Sequence, residues 1–182
     1  MNEFLKQANL IKDEIINYRR TIHKNPEVGA ELPKTKAYVM EQLKKMGYEP
    51  KEICESGIVA TLEGNKSGKT FLLRADMDAL PMKENNECDF KAENGCMHSC
   101  GHDMHTAMLL GAAKLLMQNK EQIEGTVKLV FQPDEEGFTG SKKMIQAGVL
   151  ENPKVDAAMA MHVHSGTPSN VILCGLGTSI AG

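Results

Sequence analysis

The chain has 182 residues, 41% of them hydrophobic and 25% charged, with a formal net charge of -3. That is ordinary for a soluble globular protein, and the length suits one domain with a sizeable core. Its lysines and arginines are dispersed and it has three Tyr, five Phe and no Trp, which argues against nucleic-acid binding, a base-stacking platform or an anionic membrane surface.

Apolar residues at helical spacing (Phe4, Leu5, Ala8, Ile11, Ile15, Ile16) predict one helix over 3–22, ended by Asn25-Pro26-Glu27-Val28-Gly29. Pro33 suits the first turn of a second helix, and Gly47 its stop. Strands are expected at Ile58–Leu62 and Thr70–Leu73, around the turn Gly64-Asn65-Lys66-Ser67-Gly68. A long polar loop follows Asp78 to about Ser99, a length usually reserved for functional segments. Residues 103–118 read as a strongly periodic helix, 127–131 as a buried strand, 139–147 as a helix, and 155–161 and 171–176 as strands. Alternating strands and helices predict an α/β sandwich around a mostly parallel or mixed sheet.

The first residues, Met1-Asn2-Glu3-Phe4-Leu5-Lys6, lack the apolar stretch of a signal peptide, and no uncharged run reaches membrane-spanning length. A cytoplasmic location is expected. Cys54, Cys88, Cys96, Cys100 and Cys174 form an odd set with no framework spacing, as in a reducing compartment.

Four polar segments follow predicted strands or open a predicted helix, and ligands of open α/β sheets bind beyond strand carboxyl ends. In Arg74-Ala75-Asp76-Met77-Asp78, Asp76 or Asp78 is suited to orient a ligand histidine, and Asp76 is the candidate; alone, the segment reads as a solvated strand end. In His98-Ser99-Cys100-Gly101-His102-Asp103-Met104-His105, thiolate and imidazole are typical zinc ligands. Cys100 and His102, with glycine between, can turn toward one ion. Asp103 is placed to cap the next helix, whose N-terminus favours an ionised thiolate. Three His and two Cys fall within ten residues of a chain with six His in all. His105 lies a turn inside the helix, where it is either a helix-face residue or near substrate.

In Gln132-Pro133-Asp134-Glu135-Glu136-Gly137, one of two adjacent glutamates can bind metal while the other takes a proton from water. In isolation this is better read as an acidic solvated loop. In Met161-His162-Val163-His164 one histidine is a plausible ligand, but spacing does not choose between His162 and His164. A thiol-nucleophile role for Cys100, with His102 or His105 as base, leaves the glutamate pair without a use.

These residues resemble the zinc aminoacylase and carboxypeptidase G superfamily of co-catalytic metallopeptidases. The nearer likeness is to its amidohydrolase branch of hippurate hydrolases and plant auxin-conjugate hydrolases. The matching pieces are Arg19–Glu27, Arg74–Pro81, Met97–Asp103, Phe131–Gly137 and Ala160–Val163, in family order. The resemblance implies a three-layer α/β sandwich, phosphorylase/hydrolase-like, with a central mixed sheet flanked by helices. It implies Cys100, His102, Glu136 and His162 as ligands of two divalent ions, zinc or manganese, with Glu135 as general base. The implied reaction cleaves the amide bond of small N-acyl amino acids to a carboxylic acid and an amino acid.

Family members are roughly twice as long. By that resemblance residues 1–182 are the N-terminal part of the metal-binding catalytic domain, without the lid domain, the C-terminal segment and a last histidine ligand. The alternative is therefore a remnant that folds and binds metal without turnover. An apolar sheet edge left open would favour homo-oligomers. Asp134 also stands where the family more often has a small residue.

Overall fold

The computed structural model describes residues 3–174. Its helices are α1 (Glu3–Leu10), α2 (Lys12–His23), α3 (Pro33–Lys45), α4 (His102–Gln118) and α5 (Gly140–Gln146). Its strands are β1 (Lys51–Ile53), β2 (Gly57–Glu63), β3 (Lys66–Asp76), β4 (Glu124–Gln132) and β5 (Ala157–Ala160). The strands form one mixed sheet in the order β1-β2-β4-β3-β5. β1–β2 and β2–β4 pair antiparallel, while β4–β3 and β3–β5 pair parallel. None of the helices is long and apolar enough to cross a membrane.

Both faces of the central strands are covered, giving the three layers expected. On one face Tyr18 of α2, Val39 and Leu43 of α3, and Leu110 and Ala113 of α4 pack against Ile58, Leu62, Leu129 and Phe131. On the other, Met144 of α5 and Val149 pack on Leu72 and Val130. β4 lies between β2 and β3, so its residues 127–132 are all buried, and 127–131 read as an apolar run with one interruption. The exception, Lys128, donates Nζ to the carbonyls of Val149 and Glu151 at 3.0 and 2.5 Å, and its pKa is lowered by burial.

Two elements depart from expectation. The helix over 3–22 is two helices, broken at Ile11 (φ -102°, ψ 10°). The break lets α1 turn onto the end of α4, where Asn119 donates to Gln7 at 2.7 Å, while α2 lies along α4. Residues 171–174 form no strand, and positions 175 and 176 of that expected element lie outside the described residues.

Candidate metal centre

The sheet register brings the sequence motifs to one end. Asp76, the last residue of β3, pairs with Gln132, the last of β4; Arg74 pairs with Ala160, the last of β5. Asp78, Glu135, Glu136 and His162 therefore leave the sheet at the same level, beyond its carboxyl ends. The crossover from β3 delivers α4 to the same place, with His102 in its first turn.

Cys100 Sγ lies 3.5 Å from His162 Nε2. His102 Nε2 lies 3.8 Å from Glu135 Oε2 and 3.9 Å from Glu136 Oε1. Cys100, His102 and His162 each present a ligand atom within 4.8 Å of the others, as do His102, Glu135 and Glu136. His102 is common to both groups. His164 instead turns to its own loop, where Gly166 N–H donates to it at 3.2 Å.

His102 is held from behind. Its Nδ1 donates to the main-chain carbonyl of Asp78 at 2.8 Å, which leaves Nε2 facing the glutamates. The Asp78 carboxylate accepts the backbone N–H of Glu135 and Glu136 at 3.0 and 3.1 Å. Asp76 comes no closer to His102 Nε2 than 3.8 Å. Its carboxylate accepts from His105 Nδ1 at 2.6 Å and from Arg74 at 2.6 Å. The second nitrogen of His105 accepts from Val163 N–H at 2.9 Å, so neither ring nitrogen is left for a substrate.

Burial raises the Asp76 carboxyl, but the His105 hydrogen bond and the Arg74 charge outweigh it and hold it at about 2. Asp78 is likewise lowered, burial being outweighed by its contact with His102 and the two amides. For His102, burial disfavours the cation, yet Asp78 and Asp76 raise its pKa overall. Cys100 reverses the expectation of a helix-stabilised thiolate. Burial first, then the Glu136 charge, push its thiol up to about 12. The crowded carboxylates of Asp76, Glu135 and Glu136 oppose a further negative charge there.

The donor set fits divalent cations. Buried polar atoms are nearly always paired, yet His102 Nε2 and Glu136 Oε1 are buried without a hydrogen-bond partner. With the His102 ring neutral, these two atoms are both acceptors beside a thiol and a second carboxylate, an arrangement that a divalent cation between them satisfies.

A second buried network, which sequence reasoning missed, lies behind α4. His23 Nδ1 contacts Asp103 Oδ2 at 2.8 Å, and its Nε2 contacts Glu84 Oε1 at 3.0 Å. Arg19 donates to the same Asp103 oxygen at 3.0 Å, and Glu84 accepts the Ala92 amide at 2.7 Å. Asp103 therefore does not cap α4. The cap position is Gly101, without a side-chain bond, and the Asp103 carboxylate points to α2. The signal available was Arg19 and His23, four apart on one helix face ahead of Asn25-Pro26. His98, beside this network, is buried without hydrogen bonds, and burial lowers its pKa to about 4.

Residues 72–177 match the model of peptidase family M20/M25/M40, and the chain belongs to that family. It is 48% identical over 166 residues to thermostable carboxypeptidase 2 of Saccharolobus solfataricus, covering 88% of this chain and 42% of that protein. To IAA-amino acid hydrolase ILR1-like 4 of Arabidopsis thaliana it is 48% identical, covering 87% of this chain and 36% of the relative. Among solved structures, the YXEP protein of Bacillus subtilis, a dinuclear metal-binding peptidase, superposes with a TM-score of 0.84 at 35% identity, over 88% of this chain and 45% of that one. The chain thus spans less than half the length of the relatives it matches.

Proposed function

We propose that this chain forms part of the catalytic domain of a metal-dependent hydrolase that cleaves the amide bond of N-acyl amino acids. Cys100, His102, Glu136 and His162 hold two divalent ions, zinc or manganese, and Glu135 is the general base. The observation that carries the reading is the pair of orphaned buried acceptors, His102 Nε2 and Glu136 Oε1, with Cys100 and His162 alongside. Relatives named as a carboxypeptidase, an N-acyl-L-amino acid amidohydrolase and an N-acetyl-L-cysteine deacetylase support this class of reaction. The five cysteines are free thiols, which supports a reducing, cytoplasmic setting.

Divalent ions in such a site polarise a carbonyl and lower the pKa of water. Glu135 is half-buried beside them, with its backbone held by Asp78. It takes the proton of the attacking water as the carbonyl carbon becomes tetrahedral, then returns it to the leaving amine. Asp78 fixes the backbone of both glutamates, so that Glu136 would hold the cation while Glu135 would move the proton.

The test is metal content by mass spectrometry, together with hydrolysis of an N-acyl amino acid panel. Metal uptake abolished by chelator, with release of free amino acid, is expected. A chain that takes up no metal overturns the reading; a metal-loaded chain that hydrolyses none of the panel leaves only the metal site. Activity lost to iodoacetamide but not to chelator would instead make Cys100 a nucleophile.

A further inference from the structure

A line of polar contacts crosses the sheet end beside the candidate metal centre. Gln132 Oε1 of β4 accepts from Arg74 Nε of β3 at 2.9 Å. The Arg74 guanidinium meets Asp76 at 2.6 Å, and Asp76 meets His105 Nδ1 of α4 at 2.6 Å. His105 Nε2 then meets the backbone N–H of Val163, beyond β5, at 2.9 Å. Three elements are thereby tied to a segment that has no strand partner of its own.

The chemistry fixes the direction of each contact. A carboxylate accepts, so His105 Nδ1 carries the ring proton. A backbone N–H donates, so Nε2 offers its lone pair. His105 is thus fully used although it is buried at 3% exposure. Its ring also lies against that of His162, centroids 4.5 Å apart at 68°. His162 itself is exposed and its Nδ1 contacts only the next carbonyl, that of Val163, so little on its own segment holds it in place.

We propose that His105 is a positioning residue: it docks the Val163 amide and so holds His162 beside Cys100. Gly101 allows the approach, because a Cβ at that position would collide with Cγ2 of Val163. Asp76 and Arg74 act through His105, fixing its tautomer rather than touching His102. The group Asp76, His102 and His105 has ligand spacing, but both nitrogens of His105 are spent on protein partners, which removes it from the ligand set. The role of His162 as a ligand rests on the proposed function; the docking of Val163 does not.

The experiment therefore has a metal-free arm and a metal arm, both on the intact chain. In the metal-free arm, nitrogen-15 NMR is expected to find His105 protonated at Nδ1 alone, with the Val163 amide protected from hydrogen exchange. A proton on Nε2, or a freely exchanging Val163 amide, overturns the proposal whatever the metal does. His105→Asn keeps an amide near the Nδ1 position but falls short of Val163; His105→Gln places an amide oxygen where Nε2 was. Loss of Val163 protection is expected in the first and retention in the second, with circular dichroism confirming that both fold.

In the metal arm, titration with Co2+ alone is expected to weaken by about 10–100-fold in His105→Asn, the range for groups that orient a ligand. The same substitution in a His162→Ala background is expected to cost nothing more, since both act through one ligand. Additive losses overturn the proposal. A wild-type chain that binds no Co2+ while keeping the Val163 contact removes the metal reading and leaves the docking in place.

Discussion

The main-chain oxygen of Asp78 accepts from Nδ1 of His102 at 2.8 Å, on the residue whose carboxylate takes the amides of Glu135 and Glu136. The end of β3 thus sets both the ring of His102 and the backbone of the glutamate pair. A carbonyl only accepts, so His102 Nδ1 holds a proton, and Nε2 is the ring nitrogen left to face the glutamates. Neither contact is visible along the chain, where 24 residues separate Asp78 from His102.

Replacing Asp78 by Ala leaves two backbone donors without their buried acceptor. A loss of roughly 2–4 kcal/mol is expected from the removed charge-assisted bonds. Urea unfolding measures it, and a change below about 1 kcal/mol would contradict the arrangement. Metal affinity should fall with it, by about 10–100-fold, because the glutamates are no longer held.

The two glutamates should separate under the same substitution. Glu135→Gln is expected to retain metal and to lose turnover by about 10²–10⁴-fold, the usual worth of a positioned acid–base group. Glu136→Gln is expected to lose metal. Metal content measured beside initial rates distinguishes them, and a Glu135→Gln protein with wild-type rates rules out the base role.

The His23 network predicts a pH dependence. The Asp103 hydrogen bond, outweighing burial and aided by Glu84, raises the His23 pKa above its ordinary value of 6.5. For Glu84, burial raises the pKa, but the Ala92 amide and His23 outweigh it, and the net shift is downward from 4.5. A raised histidine stabilises fully below its unfolded pKa and ceases to as pH climbs through the folded value. A lowered carboxyl stabilises above its unfolded pKa and ceases to as pH falls through the folded value. The melting-temperature gap between wild type and His23→Gln should therefore be widest near about pH 5.5 and narrow in both directions. A gap that widens above neutral pH would overturn the assignment.

Gly101 has φ +89° at the start of α4 and faces Val163. Gly101→Ala is expected to cost about 1–2 kcal/mol from the left-handed backbone alone. Displacement of Val163 should add to that. Thermal unfolding reads the first, and exchange of the Val163 amide reads the second. An alanine variant with unchanged stability would show that the turn relaxes freely.

Much of the fold was legible because burial imposes periodicity. Leu109, Leu110 and Ala113 are buried on α4, and residues 127–132 of β4 are buried on both faces, so each element announces itself. The break at Ile11 was not legible, since an apolar residue at helical spacing fits either a continuous helix or a corner folded over α4. The short β1, Lys51–Ile53, carries no run long enough to register, and it exists because β2 offers it an edge.

At the site, residue type and strand-end position were enough to single out Cys100, His102, Glu135, Glu136 and a histidine after the last strand. Thiol, imidazole and carboxylate clustered where strands end point to a cation, because few other needs explain them together. The choice of His162 over His164 followed from resemblance; in the fold it depends on which ring reaches Cys100.

The amino-acid order by itself determined most of the element types, the sheet-based architecture and the chemistry of the donor groups. All three are written in local pattern and side-chain identity. Only the tertiary structure decided that Asp78 rather than Asp76 holds His102, that Asp103 turns back to His23, and that His105 faces Val163. Those contacts join residues 24 to 80 positions apart. Hydrogen bonds depend on distance and direction in space, and spacing along a chain carries neither until the sheet register is set.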